Sequence, residues 1–132
     1  MVLLASVASW GHVDDAHQFA MEAALEAVEE GFVVAESFWG GACDDGERVA
    51  VRHQLFKGHE YWFWFGVEND EAEIRLAIYD ESGRRVDIEG KRGDYWAAAR
   101  VNPPATDSYV ILFSVGSAAG EEVHWALAYG YR

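Results

Sequence analysis

The chain is 132 residues long and carries ten basic against twenty-three acidic residues, for a net charge of −13. Its hydrophobic fraction of 51% is enough for a buried core and excludes disorder along the whole chain. The negative field repels nucleic-acid phosphate and anionic lipid, which argues against a nucleic-acid partner; cationic partners, or metal ions in an acid-rich loop, are electrostatically compatible with it.

In chain order, residues 2–10 form an apolar stretch too short to cross a bilayer, so no transmembrane span is expected. With no basic residue ahead of it, the stretch reads as an opening strand or helix packed on the domain; the end of an export signal is the alternative. Asp14 and Asp15 carry carboxylates suited to capping a first helical turn, and residues 16–30 are rich in helix formers up to a stop at Gly31. Ala16, Ala20, Ala23 and Ala27 fall on one face, widened by Met21, Ala24, Leu25 and Val28. Alanine keeps that face thin, which suits the amphipathic helix to close packing on another layer.

Beyond Gly31 the apolar period changes from helical to alternating. Residues 32–38 read as a first, irregular strand, and 40–46 as a flexible acidic loop. Residues 48–56 place Val49, Val51, His53 and Leu55 on one face; residues 60–67 place Tyr61, Phe63, Phe65 and Val67 on one face and Trp62 and Trp64 on the other. Residues 73–79 follow, with Ile74, Leu76 and Ile78 together. A turn at 80–83, where Asp80 and Ser82 can bond back to the backbone, leads to a short strand at 85–88. Residues 90–93 read as another turn and 95–101 as another strand. Pro103 and Pro104 cannot donate ladder hydrogen bonds and break the sheet. Alternation returns with Tyr109, Ile111, Phe113 and Val115, then passes a small-residue loop at 116–121 into a last strand from Val123 to Tyr131. About eight short strands separated by turns predict a mainly β fold, an antiparallel β-sandwich or jelly-roll with one N-terminal helix. One domain over 1–132 is expected, with 1–31 as the N-terminal segment and helix and 32–132 as the sandwich.

Trp62 and Trp64 are the candidate ligand-binding residues: side by side, they could stack a carbohydrate or meet a protein partner. Coverage by the alanine-faced helix, or by a second subunit in a dimer, is the competing expectation, because exposed large aromatics invite aggregation. Two acidic clusters have the oxygen density that calcium uses: Asp44, Asp45 and Glu47, and Glu68, Asn69, Asp70 and Glu71. A solvated loop is the simpler reading of each, and no other cofactor is expected. The single cysteine, Cys43, excludes an internal disulfide, and its acidic neighbours should raise its pKa and leave it a structural thiol. His12, His17, His53, His59 and His124 show no tight metal-ligand spacing and read as structural. Ser82 and Ser117 lack a nucleophile-elbow context, so no catalytic residue is nominated.

The pattern Leu55-x-x-Gly58, Tyr61-x-Phe63-x-Phe65, Ile74-x-Leu76-x-Ile78-Tyr79-Asp80-x-x-Gly83 and Tyr109-x-Ile111-x-Phe113-x-Val115 resembles the bacterial pre-peptidase C-terminal (PPC) domain over about the last two-thirds of the chain. That family is a compact β-sandwich attached to secreted proteases and other exported proteins. Glu71 and Glu73 stand where the family commonly has aspartates, and Asp107-Ser108 replaces a glycine-led turn. No family metal ligand therefore carries over. The resemblance implies a noncatalytic accessory fold and exported or periplasmic localisation. The functional expectation is an accessory or protein-interaction domain of an exported bacterial protein, with self-association or a protein partner. A carbohydrate-binding module using Trp62 and Trp64, and a small hydrolase, are the alternatives.

Overall fold

The computed structural model describes residues 2–69, 72–116 and 120–132, with side chains from residue 12 onward. Helix α1 (Val2–Glu29) is longer than predicted. Residues 2–10 contain no proline and continue the helix toward the N-terminus; how their side chains pack lies outside the described residues. Asp14 and Asp15 are consequently not caps but mid-helix residues on the exposed side. At the other end Gly31 stops the helix as expected, with φ of 96°. Gly31 N–H donates to the Val28 carbonyl and Phe32 N–H to the Ala27 carbonyl, the two bonds of a Schellman cap.

Nine strands follow among the described residues: β1 (Val33–Val34), β2 (Trp39–Cys43), β3 (Arg48–Leu55), β4 (Tyr61–Val67), β5 (Glu73–Tyr79), β6 (Glu89–Arg92), β7 (Trp96–Val101), β8 (Asp107–Gly116) and β9 (Val123–Tyr131). They form two antiparallel sheets. The larger has six strands in the order β1-β9-β4-β7-β6, with β2 also paired to β9; the smaller has the order β3-β8-β5. This is the sandwich the alternation predicted.

Side-chain parity divides the molecule into two apolar layers. Phe63, Phe65, Ile78, Ile111, Phe113 and Leu127 meet between the sheets, each essentially inaccessible. Burying an aromatic side chain of this kind contributes about 1.5–3 kcal/mol, which makes these rows the main support of the fold. On the outer face of the larger sheet, Trp62, Trp64, Ala98 and Ala128 are covered by Ala20, Ala24 and Ala27 of α1 and by Phe32. The buried helical stripe is Val13, Ala16, Ala20, Ala24 and Ala27, whereas Leu25 and Val28, expected to widen it, are 63% and 48% exposed.

The closest helix–sheet approach is at Gly66. A Cβ there would collide with the Ala16 carbonyl oxygen and lie 2.8 Å from the Ala20 nitrogen, so only glycine lets the backbones pass. Farther along, a Cβ at Gly130 would lie 2.7 Å from the Trp64 indole. Small residues on both sides therefore make the room that the two indoles occupy.

Three segments differ from the sequence reading. Of residues 32–38, expected as a first strand, only Val33–Val34 pair, as β1 against β9. Residues 40–43, expected as the start of the acidic loop at 40–46, join Trp39 in β2 against β9, with Trp39 opposite Leu127 and Gly41 opposite Trp125. A Cβ at Gly40 would lie 2.6 Å from the Val13 side chain, and one at Gly41 would lie 3.3 Å from the Trp125 ring, so small residues suit both positions. Residues 85–88 contribute only a single bridge, Tyr79 to Arg85, while the expected turn at 90–93 is largely β6, paired to β7 from Glu89 opposite Arg100 to Arg92 opposite Ala97. A short polar strand with Lys and Arg is a common way to end a sheet, and pairing outweighs the turn preference of Gly90.

The chain end is tied back to the helix end. Glu60 accepts from Arg100 Nη2 at 2.5 Å and from Arg132 Nε at 2.7 Å. Arg132 also donates to the Glu30 carbonyl at 2.8 Å and lies over the Phe32 ring.

Candidate metal centre and neighbouring groove

Strand pairing and helix docking bring three ionisable side chains to one point. In the β4–β9 ladder Val67 is opposite Trp125, so continuing the register by one residue sets Glu68 beside His124. Glu68 has the parity of Trp62 and Trp64, and His124 that of Ala126 and Ala128, so both belong to the helix side of the sheet. His12 is one helical turn before Ala16, which packs on Gly66, and thereby joins them.

The geometry is tight. His124 Nδ1 is 2.6 Å from Glu68 Oε1, and His12 Nδ1 pairs with Glu68 Oε2. The imidazoles stack at 4.7 Å between centroids, inclined by 23°. On the far side of its ring, His124 Nε2 is 3.8 Å from Glu122 Oε1. The side chains of His124, Glu68 and His12 are 12%, 22% and 49% exposed, so the cluster runs from a nearly buried strand histidine to an open helical one. One donor atom from each residue lies within 4.8 Å of the others, making this a His/Glu/His cluster capable of coordinating a metal ion.

A groove of about 730 Å³ is lined by Val13, Phe38, Trp39, Gly40, Gly41 and Trp125, with Glu36 and Ser37 also on its wall. Val13 and Trp125 each directly follow one of the histidines. Trp125 Nε1 is buried without a hydrogen-bond partner among the described residues. His17 stacks on Phe38 at 3.7 Å, and burial lowers its pKa against the opposing pull of Asp14. His53 packs edge-on against Trp39, and burial lowers its pKa as well.

The residues singled out from sequence are scattered. Trp62 and Trp64 are 4% and 1% exposed beneath α1 and do not present an open stacking face. Lys91 reaches over the Trp62 ring at 5.3 Å and pairs with Glu26 of the helix at 3.1 Å. Asp44, Asp45 and Glu47 occupy the β2–β3 turn, where Glu47 accepts the Asp44 N–H at 2.9 Å. Glu68 engages the two histidines, separately from that turn, and Asn69 follows it. Asp70 and Glu71 lie outside the described residues. Cys43 is buried, and its pKa is raised to about 11, first by burial and then by Glu47, Asp44 and Glu122.

The sequence reading missed His12 and His124 as partners of Glu68. The signal was present in part: His124 alternates with the small helix-side residues of its strand, and His12 extends the Ala16 stripe by one turn. What was missing was the register that joins them.

With the two sheets, the covering helix and this cluster described, comparison with solved structures is informative. The fold is similar to that of PliG. The crystal structure of Aeromonas hydrophila PliG, a periplasmic lysozyme inhibitor of g-type lysozyme, matches with a TM-score of 0.53 at 16% identity, over 78% of this chain and 90% of PliG. No family model matches the chain, and no curated protein matches it. At this identity the likeness to PliG is one of fold.

Proposed function

We propose that the chain is a noncatalytic, exported or periplasmic domain that binds a protein partner, and that its partner is a cationic hydrolase of the g-type lysozyme class. The observation that carries this reading is the sandwich shared with PliG over nine-tenths of the latter's length. The net charge of −13 supports it, because such a surface attracts and orients a basic partner. The groove between Phe38, Trp39 and Trp125 offers an apolar anchor inside that acidic field. The PPC resemblance points to the same accessory class, although its motif consists mostly of the apolar alternation any sandwich needs.

The test is turnover of bacterial cell wall by a g-type lysozyme in the presence of increasing amounts of the chain. Stoichiometric inhibition is expected, weakening as salt is raised because the encounter is electrostatic. Full lysozyme activity at a tenfold excess, with no complex on size-exclusion chromatography at low salt, rejects the lysozyme reading. Phe38→Asp should weaken inhibition if the groove is the contact.

The carbohydrate module has lost its main support, since the indoles that would form its platform lie under α1. A hydrolase using Cys43 is likewise disfavoured by the buried, acid-flanked thiol. Calcium at the turn of Asp44, Asp45 and Glu47 rests on charge density alone; the nitrogen donors lie elsewhere, at His12 and His124.

A further inference from the structure

We propose that His12, Glu68 and His124 form a zinc-class divalent-metal site that clamps α1 onto the larger sheet. This site is independent of the proposed partner and stands or falls separately. The donors are Nδ1 of each imidazole and one carboxylate oxygen of Glu68. Zinc bonds of about 2.0–2.2 Å place tetrahedral donors roughly 3.4 Å apart. The three donors here already lie within 4.8 Å of one another, so small side-chain rotations close the site without moving the backbone.

Three features favour a metal over a hydrogen-bonded clamp alone. First, each imidazole turns the same nitrogen, Nδ1, toward Glu68, His124 to one carboxylate oxygen and His12 to the other, so both ligating atoms already face one carboxylate. Second, a ligating His124 carries its remaining proton on Nε2, and Glu122 lies 3.8 Å from that nitrogen, able to draw closer and hold the required tautomer. Third, His12 is half-exposed at the mouth of the cluster while His124 is nearly buried at its base, leaving an entry path and a fourth position for water. Two imidazoles with one carboxylate suit zinc or a neighbouring late transition metal; calcium, which takes six to eight oxygens, is poorly served.

The consequence is structural. The ligands come from α1, from the residue after β4, and from β9, elements that otherwise meet through the alanine stripe of the helix packed on Trp62, Trp64 and Ala128. A shared ion would add a strong, directional link across that interface.

The test uses the full chain freed of metal by chelation, titrated with zinc chloride in calorimetry and melted with and without zinc. Wild type should take up one Zn²⁺ per chain, and its Tm should rise by roughly 5–15 °C at a hundredfold excess over Kd. Calcium chloride should produce neither effect. His12→Ala changes a half-exposed helical residue, so the protein should keep its far-UV circular dichroism; its zinc affinity should fall by about tenfold or more and the Tm rise should vanish. His124→Asn should have the same effect on zinc binding. Absence of zinc binding or stabilisation in wild type overturns the proposal. So does binding of unchanged affinity in folded His12→Ala, which would assign the ion to the acidic surface, or equal stabilisation by calcium.

Discussion

Single residues here are set by what their neighbours leave room for. Cys43 shows how strongly: the thiol is on the core side of β2, and burial raises its pKa before any charge acts on it, with Glu47, Asp44 and Glu122 adding to the effect. The nucleophile is the thiolate, so at neutral pH the folded thiol is both inaccessible and protonated. Cys43 should resist a disulfide exchange reagent at pH 7.5 in native buffer and react within minutes in denaturant. Rapid stoichiometric reaction of the native protein would place the residue at the surface instead. The sequence already indicated the direction of this shift through the adjacent aspartates, but assigned it to charge; the larger cause is burial, which depends on the pairing of Cys43 with Val123 across the sheet.

At the scale of elements, the docking of α1 depends on one atom that is missing. Gly66 is the point where helix and strand backbones come together, and a methyl group there meets the Ala16 carbonyl, which can retreat only if the helix moves. Gly66→Ala should therefore cost about 3 kcal/mol or more, measured by denaturant unfolding, in line with the upper range of overpacking effects. A surface alanine-for-glycine exchange would instead be neutral or mildly stabilising. A loss below about 0.5 kcal/mol would show that the helix can slide away freely. The same close approach explains why the indoles of Trp62 and Trp64 are covered, with Ala20, Ala24 and Ala27 above them and Ala98 and Ala128 beside them.

For the whole molecule, acidity and folding are linked through groups whose pKa values differ from their ordinary ones. Burial lowers His17 and His53 below 6.5, so the unfolded chain takes up these protons first as pH falls, and stability declines from about pH 6.5 downward. Hydrogen bonds from Arg132 and then Arg100 hold Glu60 below its ordinary value. Its contribution is present above about pH 4.5 and is lost as pH falls through the folded-state value. Glu81 works in the opposite sense, raised by its contact with Asp107. The midpoint of urea unfolding should thus fall in two stages between pH 7 and 2, and Glu60→Gln should flatten the acidic stage while leaving the histidine stage intact. An unchanged acidic limb in Glu60→Gln would mean that the pairing of the chain end with Glu60 contributes nothing to stability.

Alternation supplied the expectation of an antiparallel sandwich or jelly-roll: rows such as Tyr61/Phe63/Phe65 and Tyr109/Ile111/Phe113 each make a continuous apolar face, and two sheets packed face to face bury both. Helical spacing and Gly31 likewise determined that an alanine-faced helix precedes it. The tertiary structure decided what local preference could not. Gly40, Gly41 and Gly90 are loop formers by propensity, yet they lie in strands because β9 and β7 offer unpaired edges and, at Gly40 and Gly41, neighbouring side chains fill the space. His12, Glu68 and His124 are far apart in the chain; spacing singled out neither histidine, and Glu68 only as part of an acidic run. They converge because the β4–β9 register and the contact at Gly66 are non-local, and a metal-competent cluster built across such contacts leaves no continuous motif to read.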